Sequence, residues 1–120
     1  MKISPEFAHT HSLQERRSLF MMLAQIHDDR IPILVKIVET RGQASHDLFL
    51  SKPSTTLYQL VMKIKKKLAV SPRHTVYLFC RGRMLSPQAF LSKLYESHKA
   101  EDGFLYIEVA STPSLGRNRL

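Results

Sequence analysis

One stretch constrains everything around it. From Leu57 to Leu68 the apolar residues Leu57, Leu60, Val61, Ile64 and Leu68 recur at the i, i+3, i+4, i+7, i+11 spacing of a helix with one apolar stripe. Lys63, Lys65, Lys66 and Lys67 occupy its other side. A helix this short is stable only where tertiary packing receives its stripe. Strand-like runs flank it. Ile31 to Val38 is mostly β-branched, and Ile33, Val35 and Ile37 alternate with Leu34, Lys36 and Val38, which marks a strand whose second face is also partly covered. Asp47 to Ser51, Thr75 to Cys80 and Phe104 to Val109 are three more strands, with Arg81-Gly82-Arg83 a turn and Met84-Leu85 a returning stub. Pro32 cannot donate to a ladder and belongs at the start or open side of its strand.

Helices complete the order. Ser12-Leu13-Gln14-Glu15 is a capping box and starts a helix expected to reach Ile26, where His27-Asp28-Asp29 breaks it. Ser4-Pro5-Glu6 offers a shorter start before it, and Ser86-Pro87 is expected to cap a short helix running through Tyr95. One hundred and twenty residues, 43% of them hydrophobic, suit one domain able to bury a core. The expected organisation is a helical extension over residues 1–28, a folded domain over 29–110 and a flexible tail over 111–120. A hairpin, a helix lying across it and a later pair of strands joining the same sheet make an α+β fold of the ubiquitin-like β-grasp type. Its last strand should lie parallel to the first, and its helices should gather on one side of the sheet.

Whole-chain properties bound the function. No apolar run is long enough to span a bilayer, and MKISPEFAHTHS lacks the core of a secretory signal, so a cytoplasmic protein is expected. The one cysteine, Cys80, sits inside the apolar run VYLFC and is read as core packing. A net charge of +8 favours an anionic partner of some kind, whether nucleic acid, membrane surface or acidic peptide. The basic run at Lys63 to Lys67 has only Tyr58 near it for base stacking, so a solvated face is preferred to a specific nucleic-acid site. His9 and His11 have no second ligand pair at zinc-like spacing, and no glycine-rich phosphate loop exists. No cofactor, no metal and no intrinsic catalysis are expected.

The segments Asp29-Arg30-Ile31-Pro32-Ile33, Ile64-Lys65-Lys66-Lys67-Leu68, Tyr95 with His98-Lys99, and above all Glu101-Asp102-Gly103-Phe104-Leu105-Tyr106 resemble the autophagy ubiquitin-like modifiers of the GABARAP and microtubule-associated light-chain type. The resemblance runs from Leu13 to Gly116. It implies that a cysteine protease cleaves behind Gly116, that activating and conjugating enzymes carry the glycine as a thioester, and that phosphatidylethanolamine receives it. A carboxylate that threads several narrow sites gains from a residue without Cβ. The approach Ala110 to Leu115 should then be extended and accessible. Loss of Arg117-Asn118-Arg119-Leu120 removes two of the positive charges and leaves +6 of the +8. The chain departs from the family where Leu115 replaces an aromatic and Pro113 stiffens the approach.

The resemblance further implies capture of short extended peptides of cargo receptors, with an aromatic and an aliphatic anchor three residues apart in two pockets. Leu19, Leu23, Pro32, Leu48, Leu50 and Phe104 would border the first, and Phe49, Leu60, Leu57 and Ile64 the second, the last two read primarily as core. Lys67 and Arg30 would meet flanking acidic residues. Lys63 and Thr55 stand where the family has apolar wall residues, and Leu48 where it has a basic one. Three functions follow: a lipid-conjugated modifier, cytoplasmic and on the autophagosome membrane once lipidated; a sister modifier joined to a protein lysine; and an unconjugated basic interaction module.

Overall fold

The structure, a computed structural model, describes residues 2–3, 11–38, 44–67 and 73–113. The start at Ser4-Pro5-Glu6, Leu68 and Gly116 with its neighbours lie outside them. The elements in chain order are β1 (Lys2–Ile3), α1 (Leu13–Ile26), β2 (Ile31–Val38), β3 (Ala44–Ser51), α2 (Leu57–Lys67), β4 (His74–Cys80), β5 (Arg83–Met84), α3 (Leu91–His98) and β6 (Leu105–Pro113). The strands form one sheet in the order β1-β3-β2-β6-β4-β5. β2 and β3 make the expected antiparallel hairpin. β6 lies parallel to β2 from Ile33↔Leu105 to Ile37↔Val109, as the sequence predicts.

The sheet is covered on both faces, which corrects the expectation that the helices gather on one side. Successive strand residues point to opposite faces. Ile33, Val35, Phe49, Leu105 and Ile107 therefore share one face and pack with Leu57, Leu60 and Ile64 of α2 and Leu91 and Leu94 of α3. Leu34, Leu48 and Tyr106, cross-strand neighbours in register, share the other and pack with Leu19, Phe20 and Leu23 of α1 and with Phe104. The apolar residues on the second face of β2 are the sequence trace of this arrangement. Cys80 is buried in the main core.

The capping boxes hold as local chemistry. Glu15 N–H donates to Ser12 Oγ and Ser12 N–H to Glu15 Oε1 at 2.7 Å. Thr56 and Gln59 do the same at the start of α2, a signal the sequence analysis missed. Several boundaries shift: β3 begins at Ala44, which pairs with Val38, and not at Asp47. α3 begins at Leu91, because residues 86–90 bond to the segment preceding α2 instead of coiling: Leu57 N–H donates to the Ala89 carbonyl and Leu91 N–H to that of Thr55. β6 runs past Val109 to Pro113 because β4 continues to pair with it, Tyr77 opposite Ala110 and Val76 opposite Ser111. From Ala110 to Pro113 the approach is extended as expected, but it is held in the sheet, where a flexible tail was expected from residue 111.

The turn Glu101-Asp102-Gly103 docks α1. Asp102 is 2% exposed. Its Oδ2 accepts from Arg16 Nε at 3.0 Å and from the Tyr106 hydroxyl, and its Oδ1 accepts from Phe104 N–H at 2.9 Å. Gly103, at φ +98°, lies under the Phe20 ring; a Cβ there would sit 2.5 Å from that ring. Its carbonyl accepts from the Tyr95 hydroxyl at 2.7 Å. The glycine of the motif is therefore required twice, by its backbone angle and by the ring stacked over it.

Three substitutions check this docking. Arg16→Ala leaves a buried carboxylate without its cation and should lower unfolding stability by about 3 kcal/mol. Arg17→Ala, losing only an exposed bond to the Glu101 carbonyl, should cost less than about 0.5 kcal/mol by the same denaturant titration. Gly103→Ala should cost at least about 2 kcal/mol.

Candidate functional site, a groove across the open edge of the sheet

Among the described strands, β3 is flanked on its outer side only by β1, whose pairing covers Asp47 and His46. From Leu48 to Ser51 no described strand adds to that side. Because α1 and α2 lie on opposite faces of the sheet, this edge runs between two helices. A cavity of about 800 Å³ opens there, lined by Leu23 and His27 from α1, Leu48, Phe49 and Leu50 from β3, and Lys63, Lys66 and Lys67 from α2.

In an antiparallel ladder every second residue turns both its N–H and its C=O away from its partner strand. Leu48 and Leu50, two apart, show where those groups go. Leu48 N–H donates to Asp47 Oδ1 at 2.9 Å, and the Leu48 carbonyl accepts from Lys67 Nζ at 3.2 Å. Lys67 also pairs with Asp47 Oδ1 at 3.3 Å and stands 4.5 Å from the centre of the Phe49 ring. The Leu50 carbonyl and Ser51 Oγ accept from Lys63 Nζ at 3.5 and 3.2 Å. Lysines from α2 thus lie along the strand edge. Burial disfavours the charged form of Lys63, and the positive charges of Arg30 and Lys67 add to this, so its ammonium releases its proton more readily than usual.

Of the residues named from sequence, Leu23, Leu48, Phe49, Leu50 and Lys67 line this cavity, as does Lys63, expected where the family has an apolar wall residue. Leu19 packs behind it with Leu23 and Phe104. Phe104 and Leu60 are fully buried and can shape the walls only from behind. Pro32 is buried opposite Leu50 in the ladder. Arg30 pairs with Asp29 at 3.6 Å. Leu57 and Ile64 belong to the core, as preferred. Among residues the sequence did not single out for the site, His27 and Lys66 line the groove, and Asp47, read only as the start of a strand, is 3% exposed and held by Lys67 beside it. Nothing in the pattern of β3 marks a buried carboxylate; it takes the reach of Lys67 from the facing helix to explain one.

Comparison with known proteins agrees with the fold and the motifs. The sequence model described as Autophagy protein Atg8 ubiquitin like matches residues 15–116. Autophagy-related protein 8d of Arabidopsis thaliana is 30% identical over 112 residues, 92% of this chain and 93% of that protein. Autophagy-related protein 8 of Neurospora crassa is 31% identical over 113 residues, 92% of this chain and 93% of that protein. The crystal structure of Trypanosoma brucei ATG8 has the same fold, with a TM-score of 0.79 at 23% identity, covering 92% of this chain and 97% of that one. With the β-grasp sheet, the α1-docking turn and these matches in agreement, the chain belongs to the Atg8 family of autophagy ubiquitin-like proteins.

Proposed function

We propose that the chain is a modifier of autophagy that is cleaved behind Gly116, conjugated through that glycine to phosphatidylethanolamine, and used on the membrane to recruit partners through the β3-edge groove. It acts as the group that is carried, while a cysteine protease and the activating and conjugating enzymes do the chemistry. The observation that carries the reading is the open β3 edge flanked by a helix on each face. A peptide added there as a strand would send residues at an odd separation to opposite faces. Anchors three apart would then reach the α1 side and the α2 side, which is the spacing the family resemblance implies. Two buried anchors at about 1.5–3 kcal/mol each, less the cost of ordering the peptide, support micromolar affinity.

Conjugation would supply the membrane attachment. No helix among the described residues is long and apolar enough to cross a bilayer. The two acyl chains of phosphatidylethanolamine bring about 0.8 kcal/mol per buried CH₂. Charge adds roughly 1 kcal/mol per Lys or Arg near anionic lipid and would assist. The unconjugated protein would be cytoplasmic and the lipidated form would mark the autophagosome.

Gly116→Ala should leave the thermal unfolding curve unchanged and abolish sedimentation with membranes in autophagic cells, whereas a chain ending at Gly116 should attach without the protease. A full-length chain still ending in Leu120, or an adduct with the mass of a protein instead of a lipid, would overturn this reading. The groove has its own check. Leu50→Ala should weaken binding of an aromatic-x-x-aliphatic peptide about tenfold with an unchanged fold. Phe104→Ala should instead cost about 3–5 kcal/mol of stability, which a denaturant titration separates from a loss of binding.

A further inference from the structure

From the groove described above, and resting on the reading that it receives a peptide strand, we infer that its α2 side takes a peptide carboxylate, so that this chain prefers an aromatic residue followed three positions later by Glu or Asp over the aromatic-x-x-aliphatic pattern. On that side α2 contributes Lys63, Lys66 and Lys67, beside the buried Phe49 ring of β3. Lys67 already has Asp47 at 3.3 Å. Among the described residues Lys63 and Lys66 have no carboxylate within salt-bridge distance. Lys63 holds its ammonium against two neutral oxygens, Ser51 Oγ and the Leu50 carbonyl. An ammonium has three N–H donors, so one remains for a carboxylate oxygen arriving along the strand edge. Burial and the positive charges of Arg30 and Lys67 disfavour the charged form of Lys63, a cost that an arriving carboxylate would offset.

An aliphatic anchor fits this wall badly. It would cover three lysine head groups and strip their water without offering a hydrogen bond in return. A carboxylate at the same point offers charge-assisted bonds, which are about twice as strong as neutral ones. The α1 side keeps its apolar lining in Leu23 and Leu48, so the aromatic anchor is retained. The strand's alternation places the two requirements on opposite faces of a single added peptide.

The test is fluorescence anisotropy on the full chain with three labelled peptides of otherwise neutral sequence, carrying Trp-x-x-Glu, Trp-x-x-Leu and Trp-x-x-phosphoserine. The Glu peptide should bind about tenfold more tightly than the Leu peptide, and the gap should narrow as sodium chloride is raised. Lys63→Ile should invert the order, while Lys93→Ile, at an exposed position of α3, should leave it unchanged. A Leu peptide binding as well as or better than the Glu peptide overturns the inference and leaves the groove intact. No binding by any peptide overturns both. A phosphoserine peptide binding more than about tenfold above the Glu peptide would make the site a phosphate reader and overturn the carboxylate assignment. So would Lys63→Ile releasing the chain from phosphatidylserine vesicles with peptide ranking unaltered.

Discussion

A single carboxylate joins the helical extension to the ubiquitin-like sheet. Asp102 is buried where α1 crosses the end of β6, and it satisfies a guanidinium, a phenol and a backbone N–H together. A buried charge is tolerated only when paired and fully hydrogen-bonded, so these groups form one unit. The Tyr106 hydroxyl must keep its proton to donate to Asp102. Burial is the main reason it does so far beyond the ordinary range of a phenol, and its hydrogen bond to the carboxylate adds to this. Arg16 fixes the start of α1, the Phe20 ring settles on Gly103, and Leu19 and Leu23 fall onto Leu34, Leu48 and Phe104. One wall of the groove is therefore placed by a turn at the far side of the second core.

That dependence explains why the site lies at an edge. A β-grasp sheet with helices on one face only would leave Leu34 and Leu48 in water. Covering them with α1 creates a second core, and the rim of both cores meets at β3. Neighbouring residues of the strand then serve different cores: Leu48 packs toward α1, Phe49 toward α2. A ligand added to this rim can be read from both faces at once, which neither a flat sheet surface nor a closed pocket would allow.

Much of this was legible in the residues. The period of α2, the β-branched run of β2, the first capping box and the Glu-Asp-Gly-Phe-Leu-Tyr string located the core elements and the parallel β2–β6 pairing, because each is a local pattern with one physical solution. The placement of α1 on the opposite face was harder. The helix buries only Leu23 outright and leaves Met21, Met22 and Ile26 exposed, so its own periodicity points weakly at any surface. The start of α3 was misjudged because Ser86-Pro87 is a good local cap, while the backbone of residues 86–90 is taken by long-range bonds that no local rule sees. The groove's apolar half could be named residue by residue. Its charged half depends on lysine reach, a matter of rotamers and distance between elements distant in sequence.

The lysines along β3 also bear on how copies of the chain meet one another. An uncovered strand edge is a template for another copy's edge and so a risk of unwanted association. Here the outward carbonyls of Leu48 and Leu50 are occupied by ammonium groups of the same chain. Two copies approaching edge to edge would have to displace both lysines on each side and bring four like charges into a narrow seam. The edge is thus guarded against its own kind, which would let a crowded population of these molecules stay separate.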